Sequence, residues 1–259
     1  MLLTARLPHP ALRPLVARGY TGYHERTPGP LRRVETPHPA IVVIVNLGPA
    51  LRVDGAAFGS FVAGLTDVPV LTEHGGEQAG IQFDLTPLGA RMLLGVPLRE
   101  VARRIVALDA LLADADVARL RACDTWDERF AQLDALLLAR LEGAAPPRPD
   151  VAYAWSRLLE TDGAVSVAQL CAELGCSRRH LSARFGDEVG LGPKAVARIM
   201  RFRRAMALLG EPRATRSLAE VAAASGFADQ AHLTREFRAM AGVTPGAFPN
   251  LQDAVALPA

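Results

Sequence analysis

Two short stretches carry the side chains best suited to specific contacts. One holds Arg178, Arg179, Ser182, Ala183 and Arg184; the other holds Gln230, Ala231, His232, Arg235 and Arg238. A guanidinium fork can pair with phosphate or with the major-groove edge of guanine. Gln230 and His232 can hydrogen-bond base edges, Ser182 is short and permissive, and the Ala183 methyl can meet a thymine methyl. Arg179 is suited to a guanine, Arg184 and Arg238 to phosphates, and Arg235 to either. Any one of these residues is equally consistent with a solvated helix face. Their placement in corresponding parts of two matching segments is what sets them apart.

Other chemistries are poorly supplied. The N-terminal half offers His24, His38, Glu73, His74, Gln82 and Asp84. It has no close His-x-His pair followed by Glu and His, as a metal site in a small β-barrel would require. Paired carboxylates, a nucleophile elbow and a phosphate-cradling glycine loop are also missing. Glu73–His74 precedes Gly75–Gly76 and reads as a turn. The sequence therefore predicts no enzyme, no cofactor and no metal. Cys123, Cys171 and Cys176 form no zinc spacing and suit a reducing cytosol.

The elements that must position the two stretches are written twice. Ser166 and Ser217 each stand nine residues before a glycine, Gly175 and Gly226. Leu181, Phe185, Gly190 and Pro193 then match Leu233, Phe237, Gly242 and Pro245 at the same gaps. Serine caps a helix N-terminus, apolar residues at helical spacing give it a buried face, and glycine ends it with positive φ. Cys171 and Ala222 hold the same small-residue position, where a second helix can cross closely. Ser177 is placed to cap the second helix of the first copy. A short helix, a tight glycine turn and a second helix make a helix-turn-helix, whose second helix enters the major groove of duplex DNA. Between the copies, Pro193 opens a helix of about 17 residues, roughly 25 Å long.

The chain has 259 residues, half of them apolar, and a net charge of +2. That length suits two domains. The charge leans basic after Val151 and slightly acidic before it, with arginine supplying nearly all the positive charge. The Pro- and Arg-broken N-terminus has no apolar core of a secretory leader, and the aliphatic run Ala40–Val45 is too short to span a bilayer. A cytoplasmic protein without a membrane partner is expected. The run AIVVIVNLG reads as a buried strand, Asp54–Gly55 as a hairpin turn, SFVAGL and VPVLTEHGG as short strands, and Ile81, Phe83 and Leu85 as one face of another. Short strands with Gly, Asp and Pro turns predict a small antiparallel barrel or sandwich. Thr86 caps and Pro87 begins a helix that Gly95 stops, and Pro97 is placed to start another through LREVARRIVALDALL. Thr125 to Glu128 is a capping box for a leucine-rich helix, which must bury itself on its own barrel or on a second subunit. The Pro-rich stretch 143–150 reads as a linker. A barrel without a catalytic set is a natural pocket for a small effector; Tyr20, Tyr23, Phe58, Phe61 and Phe83 are candidates to line it. The residues from 251 to 259 read as a frayed tail.

LCAELGCSRRHLSARFGDEVGLGPKAVARIMRFRRAMALL, followed by AEVAAASGFADQAHLTREFRAMAGVTPGAF, resembles the DNA-binding domain of the AraC/XylS family of bacterial transcription regulators. The likeness runs over about residues 151–248. It implies an α+β protein: an N-terminal cupin-like β-barrel with helices, then two helix-turn-helix units joined by a long helix. The implied organisation is 1–142 for effector binding or dimerisation, 143–150 as linker, 151–250 for DNA binding and 251–259 as tail. The resemblance places Arg179, Ser182 and Ala183 at the usual base-reading positions. It also implies duplex DNA as partner across two successive major grooves, a small-molecule effector or a homodimer, and RNA polymerase if the protein activates. Two departures stand out: Ala183 replaces a residue that is polar in many members, and Pro249 follows Phe248 where an arginine is common. Two other readings remain open. One is a DNA-binding module fused to an enzymatic domain, with Cys123 as an alkyl acceptor, although no basic cluster flanks that thiol. The other is an effector-independent DNA-binding dimer.

Overall fold

The computed structural model describes residues 2–108, 111–211 and 216–248. Pro249 and the tail 251–259 lie outside the described residues. The first part of the chain is built from strands β1 (Leu2–Arg6), β2 (Tyr20–Arg26), β3 (Leu31–Glu35), β4 (Ile41–Asn46), β5 (Leu51–Val53), β6 (Ala56–Phe58), β7 (Phe61–Ala63), β8 (Val70–His74), β9 (Glu77–Leu85) and β10 (Ile105–Ala107). Helices α1 (Pro87–Leu94), α2 (Asp114–Ala122) and α3 (Trp126–Leu141) complete it. The rest is helical: α4 (Pro149–Glu160), α5 (Val167–Leu174), α6 (Arg178–Val189), α7 (Pro193–Leu209), α8 (Leu218–Ala224) and α9 (Gln230–Ala241). The fold is α+β.

The strands form two antiparallel sheets, ordered β1-β2-β9-β4-β7-β10 and β3-β8-β5-β6. They face each other across a cavity in a cupin-like arrangement, and no ladder closes them into a barrel among the described residues. Strands β5, β6, β7 and β10 are three residues long, too short to carry pairing around the ends. The predicted buried strand is β4, and its unbroken β-branched run has a physical reason. Ile41, Val43 and Val45 point into the main core, while Val42 and Ile44 point into the cavity, so both faces are covered. On β9 the predicted face pairs with it in register, Leu85 opposite Ile41, Phe83 opposite Val43 and Ile81 opposite Val45. Asp54 and Gly55 both have positive φ, 46° and 84°, as the tight turn between β5 and β6 requires.

Helix α3 covers the six-stranded sheet of its own chain. Its capping box forms as predicted, and Phe130, Leu133 and Leu137 are fully buried. Tyr20 donates to Asp134 on this helix at 2.8 Å, and its ring lies 5.9 Å from Phe130. Gly22 is required beneath it, since a Cβ there would sit 2.4 Å from the Trp126 ring.

The helix predicted after Pro97 is not formed. Leu98–Glu100 makes one 3-10 turn, Arg103 adopts φ 55°, and Ile105–Ala107 becomes β10, paired with β7. The open edge of β7 offers Ile105 and Val106 a ladder, and the chain at Val101 must pass Gly64 closely. A Cβ on Gly64 would lie 1.8 Å from the Val101 carbonyl oxygen. Asp109 and Ala110 of that predicted helix lie outside the described residues, and α2 follows them without having been predicted.

Two large apolar cores divide the molecule, beside a small cluster of Ile44, Val53 and Phe61 at the cavity wall, and the division does not follow the linker. The first core joins the β-sheets, α1 and α3 to Leu158 of α4, Leu170 of α5, Leu181 and Phe185 of α6, and α7 as far as Met200. The second joins Phe202, Ala205, Met206 and Leu208 of α7 to α8, α9 and Phe248. Helix α7 therefore belongs to both.

Candidate nucleic-acid interface

The two copies of the repeat build two helix-turn-helix heads. Ser166 and Ser217 each close a capping box, with Gln169 and Glu220 respectively. Gly175 has φ 61° and Gly226 φ 74°, the left-handed turn between the paired helices. Ser177 Oγ accepts the His180 amide to start α6, and Asp229 accepts the His232 amide at 2.6 Å to start α9. The Asp229 cap was legible as an N-cap residue type, but the sequence reading passed over it. Leu181 and Phe185 pin α6, and Leu233 and Phe237 pin α9, each fully buried. Such i, i+4 pairs fix which face of each helix points outward.

On α6, Arg178, Arg179, Ser182 and Ala183 are exposed. The guanidinium groups of Arg178 and Arg179 have no ion-pair partner among the described residues, so they are available to phosphate or guanine. Arg184 is half-buried and engaged otherwise: its Nη1 lies 2.8 Å from Asp150 Oδ2 and ties α6 to α4. Burial raises the Asp150 pKa, but the Arg184 bond and charge bring it net below the usual carboxylate range. On α9, Gln230, Ala231, Arg235 and Arg238 are exposed. His232 is half-buried, with its ring edge-on to Phe227 at 5.3 Å. Its Nδ1 accepts the Ala228 amide at 3.4 Å, which puts the ring proton on Nε2, 3.6 Å from Glu236. Arg201 of α7 lies over the Phe227 ring at 5.7 Å and donates to the Gly226 carbonyl, bracing the second turn.

The remaining sequence candidates are dispersed. His24 pairs with Glu77 at 2.8 Å and Glu73 with Arg32. His74 is buried 3.4 Å from Glu25, and His38 stands 3.9 Å from Asp84, which Gln82 also contacts. Burial depresses the pKa of both His38 and His74. No cluster of three metal-ligating side chains occurs among the described residues. Cys123 ends α2 with its thiol on the Arg119 carbonyl. No helix among the described residues is long and apolar enough to cross a membrane.

Between the sheets lies a cavity of about 640 Å³, open at one side. Val42, Ile44, Val53 and Val70 give it apolar walls. Of the predicted aromatics, Tyr23 and Phe61 line it. Phe58 packs on Phe61, while Tyr20 and Phe83 sit on the other side of the sheet in the main core. Glu35 lines the cavity on its solvent-exposed side, with only Thr72 as hydrogen-bond partner among the described residues. Deeper in the wall, Glu25 accepts from Arg33 and Gln78, each at 2.6 Å. Burial pushes the Glu25 pKa up, but these bonds and the charges of Arg33 and His74 bring it net below the glutamate range. A carboxyl depressed on folding adds stability above its unfolded pKa and loses it as pH falls through the folded value. Glu25→Gln is therefore expected to cost about 1–3 kcal/mol near neutral pH. It should also flatten the acid limb of a urea-melt series, and a variant with wild-type acid sensitivity would contradict this.

A family profile described as a helix-turn-helix domain matches residues 170–250, the two heads and the rod between them. Residues 170–250 are thus a helix-turn-helix domain by sequence as well as by geometry. Over nearly its whole length the chain shares a fold with ToxT from Vibrio cholerae, at 12% identity and a TM-score of 0.52, covering 90% of this chain and 98% of that one. The DNA-binding domain of AdpA, solved with a target DNA, is 28% identical over 41% of this chain and 96% of its own, with a TM-score of 0.37. The C-terminal domain of AraT from Geobacillus stearothermophilus is 19% identical, covering 41% of this chain and 88% of that one, at a TM-score of 0.38. No curated protein matches the chain.

Proposed function

We propose that the protein reads a specific operator with the exposed residues of α6 and α9 and adjusts that reading to a small molecule held between its two sheets. In this reading residues 1–142 sense or dimerise, 143–150 link, and 151–250 bind DNA. Arg179, Ser182 and Ala183 meet one major groove, with Arg178 beside them. Gln230, Ala231, His232 and Arg235 meet the next, and Arg238 a phosphate. Arg184, held by Asp150, acts on DNA by orienting α6. The observation that carries the reading is the shared design of the two heads. In each, a capped helix is pinned by a Leu–Phe pair and leaves its first turns polar and uncovered.

The cavity has the volume of a small-molecule site and a mostly apolar surface with polar groups set into it, the composition such sites favour. Glu35 lines the cavity with Thr72 as its hydrogen-bond partner and no paired cation among the described residues, so the effector expected is a largely apolar molecule with a hydrogen-bond donor placed against it. Binding that favours one arrangement of the two domains shifts the DNA-competent population.

Selection of bound duplexes from a random pool tests the first part. Two short boxes about one helical turn apart, near 34 Å, are expected. Recovery of unselected sequence at moderate salt would overturn it. A thermal-shift screen of small metabolites, with and without the recovered operator, tests the second. The effector reading fails if no ligand changes operator affinity.

A further inference from the structure

We infer that Asp67, at the rim of the cavity, holds the second DNA-reading head to the β-sheets through Arg198, and that this bridge restrains operator binding. The inference rests on the assignment of α9 as a DNA-reading helix.

Asp67 lies between Thr66 and Val68, both of which line the cavity. Its carboxylate is shared. Oδ1 accepts from Arg103, another cavity residue, at 2.8 Å, and Oδ2 lies 3.5 Å from Arg198 Nη1 on α7. The Arg198 guanidinium is shared in turn, donating through Nε and Nη2 to Glu236 Oε2 at 3.0 and 2.8 Å. Glu236 is on α9, one turn beyond His232, whose Nε2 it faces. A continuous path of charged groups, Arg103, Asp67, Arg198 and Glu236, thus runs from the cavity mouth to the imidazole of a groove-facing residue, His232. Both carboxylates are largely covered, Asp67 being 13% exposed and Glu236 14%. Solvent therefore screens these contacts less than it would surface pairs.

The position of this path matters because the second head has a separate apolar core. The first head shares its core with the β-sheets, so its orientation is fixed by packing. The second is joined to that body by the rod α7, and Arg198 lies on the rod just before the residues that enter the second core. With the bridge closed, the spacing and twist of the two recognition helices follow the β-domain. To fit two grooves of a duplex the second head must adjust, and each adjustment strains or opens the bridge. Asp67 also has a choice of partner. When Arg103 is drawn away into the cavity, Asp67 is left to Arg198 and the restraint tightens. When Asp67 is withdrawn, Arg198 keeps Glu236 neutralised and the second head is free to follow DNA.

The test uses the full chain, the duplex recovered by selection, and fluorescence anisotropy at one fixed salt concentration. Asp67→Asn is expected to raise operator affinity about five-fold, a typical size for coupling between sites. Arg103→Gln is expected to lower it by about the same factor. In the Asp67→Asn background, Arg103→Gln should have no further effect, because its action passes through Asp67. Additive effects in this cycle are what long-range charge alone would give, and they would overturn the inference. An Asp67→Asn protein that binds like wild type overturns it as well. A wild type that prefers no duplex removes the DNA-reading assignment and this inference with it. A selective wild type with an indifferent Asp67→Asn variant removes only the bridge.

Discussion

Phe237→Ala is expected to unfold the second head while the β-sheets and the first head stay folded. Phe237 is fully buried, with its ring 4.9 Å from Phe202 of α7 and 5.6 Å from Phe248. It is a central member of the smaller core, which it shares with Leu233, Met240 and residues of α8. Truncating a buried phenylalanine costs about 3–5 kcal/mol, much of the stability a unit of this size can hold. The loss stays local because α7 beyond Met200 contributes to a different core from its first half. Calorimetry should show a new low-temperature transition beside an unchanged main one. Footprinting should lose one of the two operator boxes. Collapse of the whole protein in one transition would show that the two cores are energetically a single unit.

Arg179→Ala is expected to weaken operator binding by about 1–3 kcal/mol and to relax the preference at one base pair. Arg238→Ala, by contrast, should weaken binding to all duplexes alike and reduce the salt slope by about one counterion. The contrast follows from position. Arg179 stands in the first turn of α6, beside the exposed Ser182 and Ala183, where a helix end reaches furthest into a groove. Arg238 stands two turns into α9, near its C-terminal end, where the proposed docking would lay the helix over the backbone. Affinity measured over a salt series on the operator and on single-base variants separates the two effects. Equal losses on every sequence for Arg179→Ala would reassign it to phosphate.

Local chemistry made the heads readable. A serine before a helical apolar stripe, a glycine after it, and a Leu–Phe pair four residues apart each act within a few residues. Their repetition fixed the order and register of four helices. The α3 capping box, the α1 start at Thr86–Pro87 and the Asp54–Gly55 turn were legible for the same reason. The helix predicted after Pro97 failed because its helical spacing competed with an open strand edge at β7, a partner distant in sequence. The split into two facing sheets was decided by which short strands found neighbours.

The sequence by itself determined the two helix-turn-helix heads proposed to read DNA, because caps, turns and helix faces are set by neighbouring residues and need no distant partner. Only the tertiary structure decided how those parts are held. The first head shares its core with the β-sheets, Arg184 is taken by Asp150, and Arg198 joins Asp67 to Glu236 across three elements. Ion pairs and shared cores depend on where separate segments meet in space, and no local pattern records that meeting.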